Sequence, residues 1–200
     1  MLYPAELRAP RIIVSSLLMA VETEIKLRLP DDSASTFETL ARLGYKSNAR
    51  TLEVDQIYDR PDAELKLSRR LLRLRSRGER WTVTYKGPPS EGPHKSREEV
   101  EADVDDGVAF AHILSSLGYL PTFRYEKLRT TFRAEGAAGF VTLDETPIGD
   151  FLELEGESSW IDETAMKLGF SHAEYITASY ASLYQDHRLL NPGVPEHMTF

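Results

Sequence analysis

Charged residues alternate with apolar residues or threonine through residues 21–29, within a predicted strand at about 20–29. Glu22, Glu24, Lys26 and Arg28 occupy every second position, and apolar residues or threonine fill the positions between them. Successive side chains of a β-strand point to opposite faces, so this segment, taken as a strand, has one fully ionised face that carries both signs. Such a face suits a site in which carboxylates hold a cation while ammonium and guanidinium groups hold an anion.

The same alternation recurs along most of the remaining chain. We predict strands at about 51–59, 71–77, 81–86, 97–104, 123–133, 139–145 and 148–156. Their ionised faces carry Arg73, Arg75, Lys86, Arg97, Glu99, Glu101, Lys127, Arg129, Asp144, Glu153 and Glu155. The opposite faces are mostly apolar and therefore need a cover.

Amphipathic segments between the strands predict the helices that supply this cover. We expect helices at about 34–43, 105–117, 162–169 and 172–186, the first capped by residues 31–33 and the third by Asp162. Antiparallel strands with a charged concave face and an outer face covered by helices indicate an α+β fold. We predict an eight-stranded antiparallel β-barrel, a tunnel with helices packed on the outside, wide enough for a small ligand.

The chemistry of the tunnel follows from its charges. Buried ions cost several kcal/mol each when unpaired, so the interior must be wet, paired or filled by a ligand. Carboxylates suit Mg²⁺ or Mn²⁺, and Arg and Lys suit phosphate oxygens. Both sets in one cavity indicate a metal–polyphosphate complex. The alternative, solvated strand faces joined by cross-strand ion pairs, would require independent coincidences in six strands.

Composition narrows the function classes. The 200 residues carry a net charge of −8, which disfavours nonspecific binding to nucleic acid or membranes. Cysteine is absent and no apolar run approaches the length of a membrane span, so we expect a cytoplasmic protein, a monomer or homodimer.

Three parts of the chain are expected. One domain covers residues 20–188, and a C-terminal tail covers 189–200. Residues 1–19 are expected to be a disordered extension; if translation truly begins at Met19, residues 1–18 lie upstream of the start. The apolar stretch from Ile12, which follows Arg8 and Arg11, leaves a signal peptide open.

These motifs, in this order, resemble the CYTH superfamily, also called triphosphate tunnel metalloenzymes. The resemblance runs from about residue 21 to residue 184. It rests on Glu22-x-Glu24-x-Lys26, Leu72-Arg73-Leu74-Arg75, Thr84-Tyr85-Lys86-Gly87-Pro88, Arg97-x-Glu99-x-Glu101, Lys127-x-Arg129, Leu143-Asp144, Gly149-Asp150-Phe151-x-Glu153-x-Glu155 and Ser179-Tyr180-x-x-Leu183.

The resemblance implies roles for individual residues. Glu22, Glu24 and Lys26 are implied catalytic residues. The implied ligands of a divalent metal are Glu22, Glu24, Asp144, Glu153 and Glu155. The implied triphosphate-binding residues are Lys26, Arg73, Arg75, Lys86, Lys127 and Arg129. Further candidates for the tunnel lining are Arg28, Arg97, Glu99, Glu101 and Tyr180.

The resemblance also implies a reaction on a triphosphate, and three functions stay open. The first is hydrolysis of tripolyphosphate or an organic triphosphate, which we favour because water needs no base-specific pocket. The second is a class IV adenylyl cyclase, which converts ATP to cyclic AMP and pyrophosphate. The third is a noncatalytic polyphosphate-binding module, which the seven carboxylates of the ionised faces disfavour.

Overall fold

The structure, a computed structural model, describes residues 20–30 and 34–200, without the side chains of Ala20 and Ala34. The predictions for residues 1–19 and for the cap at 31–33 lie outside the described residues. The strands of the described part are β1 Ala20–Arg28, β2 Lys46–Ser47, β3 Thr51–Asp59, β4 Leu71–Arg77, β5 Arg80–Lys86, β6 Lys95–Val104, β7 Leu120–Arg133, β8 Gly139–Thr146 and β9 Gly149–Gly156. Its helices are α1 Ala34–Arg42, α2 Glu64–Leu67, α3 Gly107–Ser116, α4 Ser158–Lys167 and α5 Tyr180–Leu190, with a 3₁₀ turn at His172–Glu174.

The eight longer strands form a closed antiparallel barrel. Their order is β7-β3-β4-β5-β6-β1-β9-β8, and β8 pairs again with β7. The two-residue strand β2 pairs with the end of β7 beyond the residues that β3 occupies. The predicted eight-stranded antiparallel barrel with outer helices is therefore confirmed.

Most of the apolar core lies outside the barrel wall, beneath α1 and α4. The outward side chains of β1, β8 and β9 pack there against both helices. Ile25, Val141, Leu154, Leu40 and Ile161 have no exposed surface. Full burial of one such side chain stabilises the fold by about 1.5–3 kcal/mol, so this layer holds the charged strand faces inward.

Helix α3 covers the opposite wall, where it packs on Tyr58 and Leu74 through Leu114. Its first residue is Gly107, whose Cα lies against the Trp81 indole. A Cβ atom at residue 107 would lie 2.0 Å from Trp81 Cδ2, so only glycine lets the helix start this close to the sheet. The prediction of helix 105–117 is confirmed to within two residues at its start and one at its end.

One end of the barrel is filled by α5 and the C-terminal segment. Tyr125 and Phe151, on inward-facing strand positions, pack there against Tyr180, Tyr184 and Met198. Met198 has no exposed surface, and its backbone bonds to residues 124 and 126 of β7. The segment predicted as a C-terminal tail, 189–200, thus begins inside α5, which ends at Leu190, and the part after the helix contributes a buried residue to this closed end.

The last third of the chain differs from the prediction in its helix positions. The helix predicted from Asp162 starts at Ser158, and the helix predicted over 172–186 is α5, preceded by the 3₁₀ turn. Asp162 is therefore the fifth residue of α4 rather than its cap, and its carboxylate accepts a hydrogen bond from the Tyr175 hydroxyl and pairs with His94. Within the described residues, no helix is long and apolar enough to cross a bilayer.

Candidate active site

The inward strand faces enclose a cavity of about 660 Å³ inside the barrel. Most residues that the sequence analysis singled out line it together. They are Glu22, Glu24, Lys26, Arg73, Arg75, Lys86, Arg97, Glu99, Glu101, Lys127, Arg129, Glu153, Glu155 and Tyr180. The remaining two are Asp144, which is fully buried in the cavity wall, and Arg28.

Arg28 lies outside the cavity, so its prediction as a lining residue is wrong. Its side chain is exposed, donates to the Ile148 carbonyl over 2.8 Å and stacks on the Phe151 ring. The alternation of β1 continues to Arg28, but the open interior does not, because Phe151 and the closed end fill that level of the barrel.

The inner end of the cavity is built around Asp144. This carboxylate accepts hydrogen bonds from Lys127 Nζ at 2.8 Å, Arg129 Nε at 2.6 Å and the Tyr180 hydroxyl at 2.7 Å. Burial and the nearby carboxylate of Asp144 raise the pKa of Tyr180 well above its usual value. Tyr180 therefore packs in the closed end, and its uncharged ring forms the inner boundary of the cavity, which we call its floor, next to the cationic groups.

Lys26 and Lys127 flank that floor. Their ammonium nitrogens lie 5.3 and 5.0 Å from the centroid of the Tyr180 ring, within range of cation–π attraction. Lys26 also pairs with Glu153 at 3.0 Å. Burial opposes the charge on Lys26, but Glu153 and Glu24 raise its pKa, so the ammonium group stays ionised.

Strand β3 supplies two carboxylates that the sequence analysis missed, Glu53 and Asp55. Asp55 is fully buried and accepts both Nε and Nη2 of Arg75, at 2.7 and 3.0 Å, while Arg73 Nε lies 3.4 Å away. Burial opposes the charge of both carboxylates, but the adjacent cations lower their pKa values. The main cation beside Asp55 is Arg75, and those beside Glu53 are Lys127 and Arg75. The period-two spacing of Glu53 and Asp55 was the signal that could have identified them.

A second acidic group lies along β1, β6 and β9. Lys86 Nζ bridges Glu22 and Glu99 at 2.5 and 2.8 Å. Glu24 pairs in register with Glu155 on the adjacent strand. Burial, followed by the charges of Glu22 and Glu24, raises the pKa of Glu155 to about 8.

Glu155 differs from its neighbours in having no partner. Within residues 20–30 and 34–200, its carboxylate makes no hydrogen bond or ion pair, whereas Glu22 and Glu24 each contact an ammonium group. Three carboxylates thus lie close enough to repel one another and one of them has no partner, an arrangement that favours a bound cation.

Lys95 is a further cavity residue that the sequence analysis did not single out. It pairs in register with Glu24, and its Nζ donates to Glu24 Oε1 over 2.7 Å. Burial and the charge of Lys26 lower its pKa to about 8. The predicted strand began at Arg97, two residues too late to include it.

Arg97 provides a cation that its surroundings do not neutralise. Its side chain is 9% exposed, and the nearest carboxylate oxygen, on Glu24, lies 4.0 Å from its Nη2. Its buried Nε has no hydrogen-bond partner in the described part of the chain. A buried guanidinium without a close counterion suits an anionic ligand.

The donor set fits a hard divalent cation, although the carboxylates must first turn. Glu22, Glu24 and Glu155 offer only oxygen, which Mg²⁺ and Mn²⁺ prefer. Among the described residues, no three carboxylates or histidines converge as the ligands of one ion, because Glu22 and Glu24 face Lys86 and Lys95. Glu24 and Glu155 are cross-strand neighbours, whose Cβ atoms lie about 4.5–5.5 Å apart, and Glu22 lies two residues from Glu24 on the same face of β1. Rotation of the side chains is therefore the change that would bring the three carboxylates to one ion.

A family comparison covers most of the chain. The model of the CYTH domain matches residues 20–180. A protein of Methanocaldococcus jannaschii, named as a proposed adenylate cyclase, is 31% identical over 143 residues. That match covers 72% of this chain and 81% of the archaeal protein.

Solved structures share the fold. A proposed adenylate cyclase from Vibrio parahaemolyticus superposes with a TM-score of 0.72 at 18% identity, covering 82% of this chain and 98% of that one. A Hippeastrum protein, described as a proposed adenylyl cyclase with a dominant triphosphatase activity, gives a TM-score of 0.62 at 18% identity, covering 83% and 96%.

Proposed function

The chain belongs to the CYTH domain family, and from that premise we propose that it is a divalent-metal-dependent enzyme that hydrolyses tripolyphosphate or an organic triphosphate. The observation that carries the proposal is the crowding of Glu22, Glu24 and the unpartnered Glu155 beside a cavity lined with arginine and lysine. A cavity that bound anions alone would gain nothing from these carboxylates.

The residues divide into two proposed sets. Glu22, Glu24 and Glu155 hold the metal, with Glu153 and Asp144 oriented toward the cations at the inner end. Lys26, Arg73, Arg75, Lys86, Lys127 and Arg129 hold the triphosphate. When bound, Mg²⁺ or Mn²⁺ supplies charge neutralisation at phosphate oxygens and activation of water.

The protein's own groups act by positioning and by charge. Arginine presents five N–H donors in a rigid fork, so Arg75 still has donors for phosphate while Asp55 holds two of them. Asp55 thereby fixes the guanidinium of Arg75 before the substrate arrives, which spares reorganisation during the reaction. Lys26 and Lys127, held over the Tyr180 ring, face the negative charge of the innermost phosphate.

A second candidate is the adenylyl cyclase reaction. The Methanocaldococcus jannaschii relative favours it, since its name refers to that activity and its identity is 31%. The Hippeastrum likeness concerns the fold alone at 18% identity. Hydrolysis ranks first because it requires only a metal ion, bound triphosphate and water. This cavity has carboxylates suited to the metal and cationic side chains suited to the triphosphate.

Product analysis tests the proposal. The protein is incubated separately with ATP and tripolyphosphate under Mg²⁺ and under Mn²⁺, and the products are identified by ³¹P NMR and chromatography. We expect inorganic phosphate in a reaction that chelation abolishes. Cyclic AMP with pyrophosphate would select the cyclase, and tight binding without any product would select a binding module.

Variants tie the activity to the carboxylates. Glu22→Gln or Glu24→Gln should abolish metal-dependent turnover in a folded protein. Glu163→Gln is the matched control, because Glu163 is exposed on α4 and, in the part of the chain that the structure describes, pairs only with Lys167 at 3.7 Å. Full activity with normal metal dependence in either cavity variant would contradict the proposed roles.

A further inference from the structure

An aromatic ring lies at an unexpected position on the charged interior face. In β8 the even-numbered residues point inward, and Phe140 lines the cavity together with Thr142. The guanidinium carbon of Arg133, which is exposed and also lines the cavity, lies 4.2 Å from the Phe140 ring centroid. An apolar ring among ions has no evident packing role there, because the apolar layer of this wall lies on the other face, at Val141.

The strand register places this ring beside the proposed metal ligands. Phe140 pairs with Glu155, and Glu155 pairs with Glu24. Asp144, at the inner end, is four residues further along the same strand. At about 3.3 Å per residue, the two levels are about 13 Å apart along the strand. A ligand can therefore contact the ring at one end while its phosphates reach the inner cations.

The side-chain amide of Asn48 lines the same cavity as Phe140 and has a hydrogen-bonding group to spare. Asn48 lines the cavity, and its side chain accepts a hydrogen bond from the backbone N–H of Thr131 over 2.7 Å. A backbone N–H can only donate, so the amide oxygen faces Thr131 and the NH₂ group points elsewhere. That NH₂ group has no hydrogen bond within the described residues.

We propose that Phe140, from whose ring the exposed Arg133 guanidinium can turn away, forms a platform for a planar aromatic group carried by the triphosphate, with the Asn48 amide available to its polar edge. The substrate is then an organic triphosphate with a flat ring system, such as a nucleoside triphosphate, rather than inorganic tripolyphosphate. The ring system replaces the exposed Arg133 guanidinium on the Phe140 face. This inference rests on the proposed function, because it assumes that triphosphate occupies the inner cavity.

Comparison of three ligands tests the platform. Dissociation constants for ATP, ribose 5-triphosphate and tripolyphosphate are measured by calorimetry in the presence of Ca²⁺, and KM values are measured with Mg²⁺. Stacking of a base on an aromatic side chain corresponds to about 5- to 150-fold in affinity. We expect Phe140→Leu, which keeps an apolar side chain without the ring, to weaken ATP by that factor and to leave the other two ligands within twofold.

Controls separate this inference from the proposed function. Phe200→Leu, at a side chain that is 63% exposed, is the matched control and should change nothing. Equal weakening of all three ligands by Phe140→Leu, or unchanged ATP binding, would overturn the platform. Absence of turnover in the unaltered protein would reject the hydrolase, whereas the binding comparison would still decide the platform.

Discussion

Replacement of Lys95 by methionine should tighten divalent-metal binding in the absence of substrate. Lys95 Nζ donates to Glu24 Oε1 over 2.7 Å, and Glu24 is a proposed metal ligand. An incoming metal ion must therefore take this oxygen from the ammonium group. Methionine keeps an unbranched side chain and removes the competing charge, while Lys26, at 3.4 Å, remains beside the carboxylate.

The size of the effect follows from the bond that the metal no longer has to break. A hydrogen bond to a charged group contributes about 1.5–3 kcal/mol, and each 1.4 kcal/mol is about tenfold in affinity. The Kd for Mn²⁺ should fall by about 10- to 150-fold. The variant also relieves repulsion, because Lys26 is among the groups that lower the pKa of Lys95.

Free Mn²⁺ is followed by electron paramagnetic resonance as metal-free protein is titrated, with calorimetry as a second measurement. Lys167→Met is the matched control, because it removes a lysine from the exposed side of α4. An unchanged or weaker Kd for Lys95→Met, in a variant with an unaltered melting temperature, would refute the exchange of ammonium for metal at Glu24.

Three other predictions concern pH and stability. Because the pKa of Glu155, a proposed metal ligand, is raised to about 8, metal binding near pH 7 should release a proton and tighten by roughly tenfold per pH unit from pH 6 to 8, as calorimetry in two buffers would measure. The pKa of Glu99 is also raised to about 8, and the stabilising contribution of both protonated carboxyls is lost as pH rises through about 8, so the melting temperature of the metal-free protein should fall between pH 5 and 8, and a flat profile would contradict this. Met198→Ala should cost about 2–5 kcal/mol of unfolding free energy in denaturant titrations, whereas Met166→Ala, at a position 71% exposed, should cost far less.

The charged strand faces could be predicted because their signal is local. Side chains alternate with a period of two, so Glu22, Glu24 and Lys26 had to share a face whatever their partners were. The register of β1 with β9 places that face beside Glu153 and Glu155. The sequence could predict this closure only through the order of its motifs, which resembles that of the CYTH family.

The errors arose where the local period does not determine the surroundings. Arg28 continues the alternation of β1, yet the interior at its level is filled by Phe151, which packs against α5, and this packing exists only in the folded chain. Lys95 follows a loop rich in Gly and Pro, and only its pairing with Glu24 identifies it as part of a strand. Asp55 shares its face of β3 with the apolar Ile57, so the alternation there is loose, but its spacing from Glu53 is the same period of two that marks Glu22 and Glu24.

The account depends on one arrangement, a metal and a triphosphate together inside the barrel. The direct measurement is a crystal structure with Mn²⁺ and a nonhydrolysable triphosphate, with diffraction recorded at the manganese absorption edge. We predict an anomalous peak beside Glu22, Glu24 and Glu155, with phosphates against Arg75 and Arg129. Metal or phosphate bound only on the outer surface of the barrel, with the interior ion pairs intact, would contradict the account.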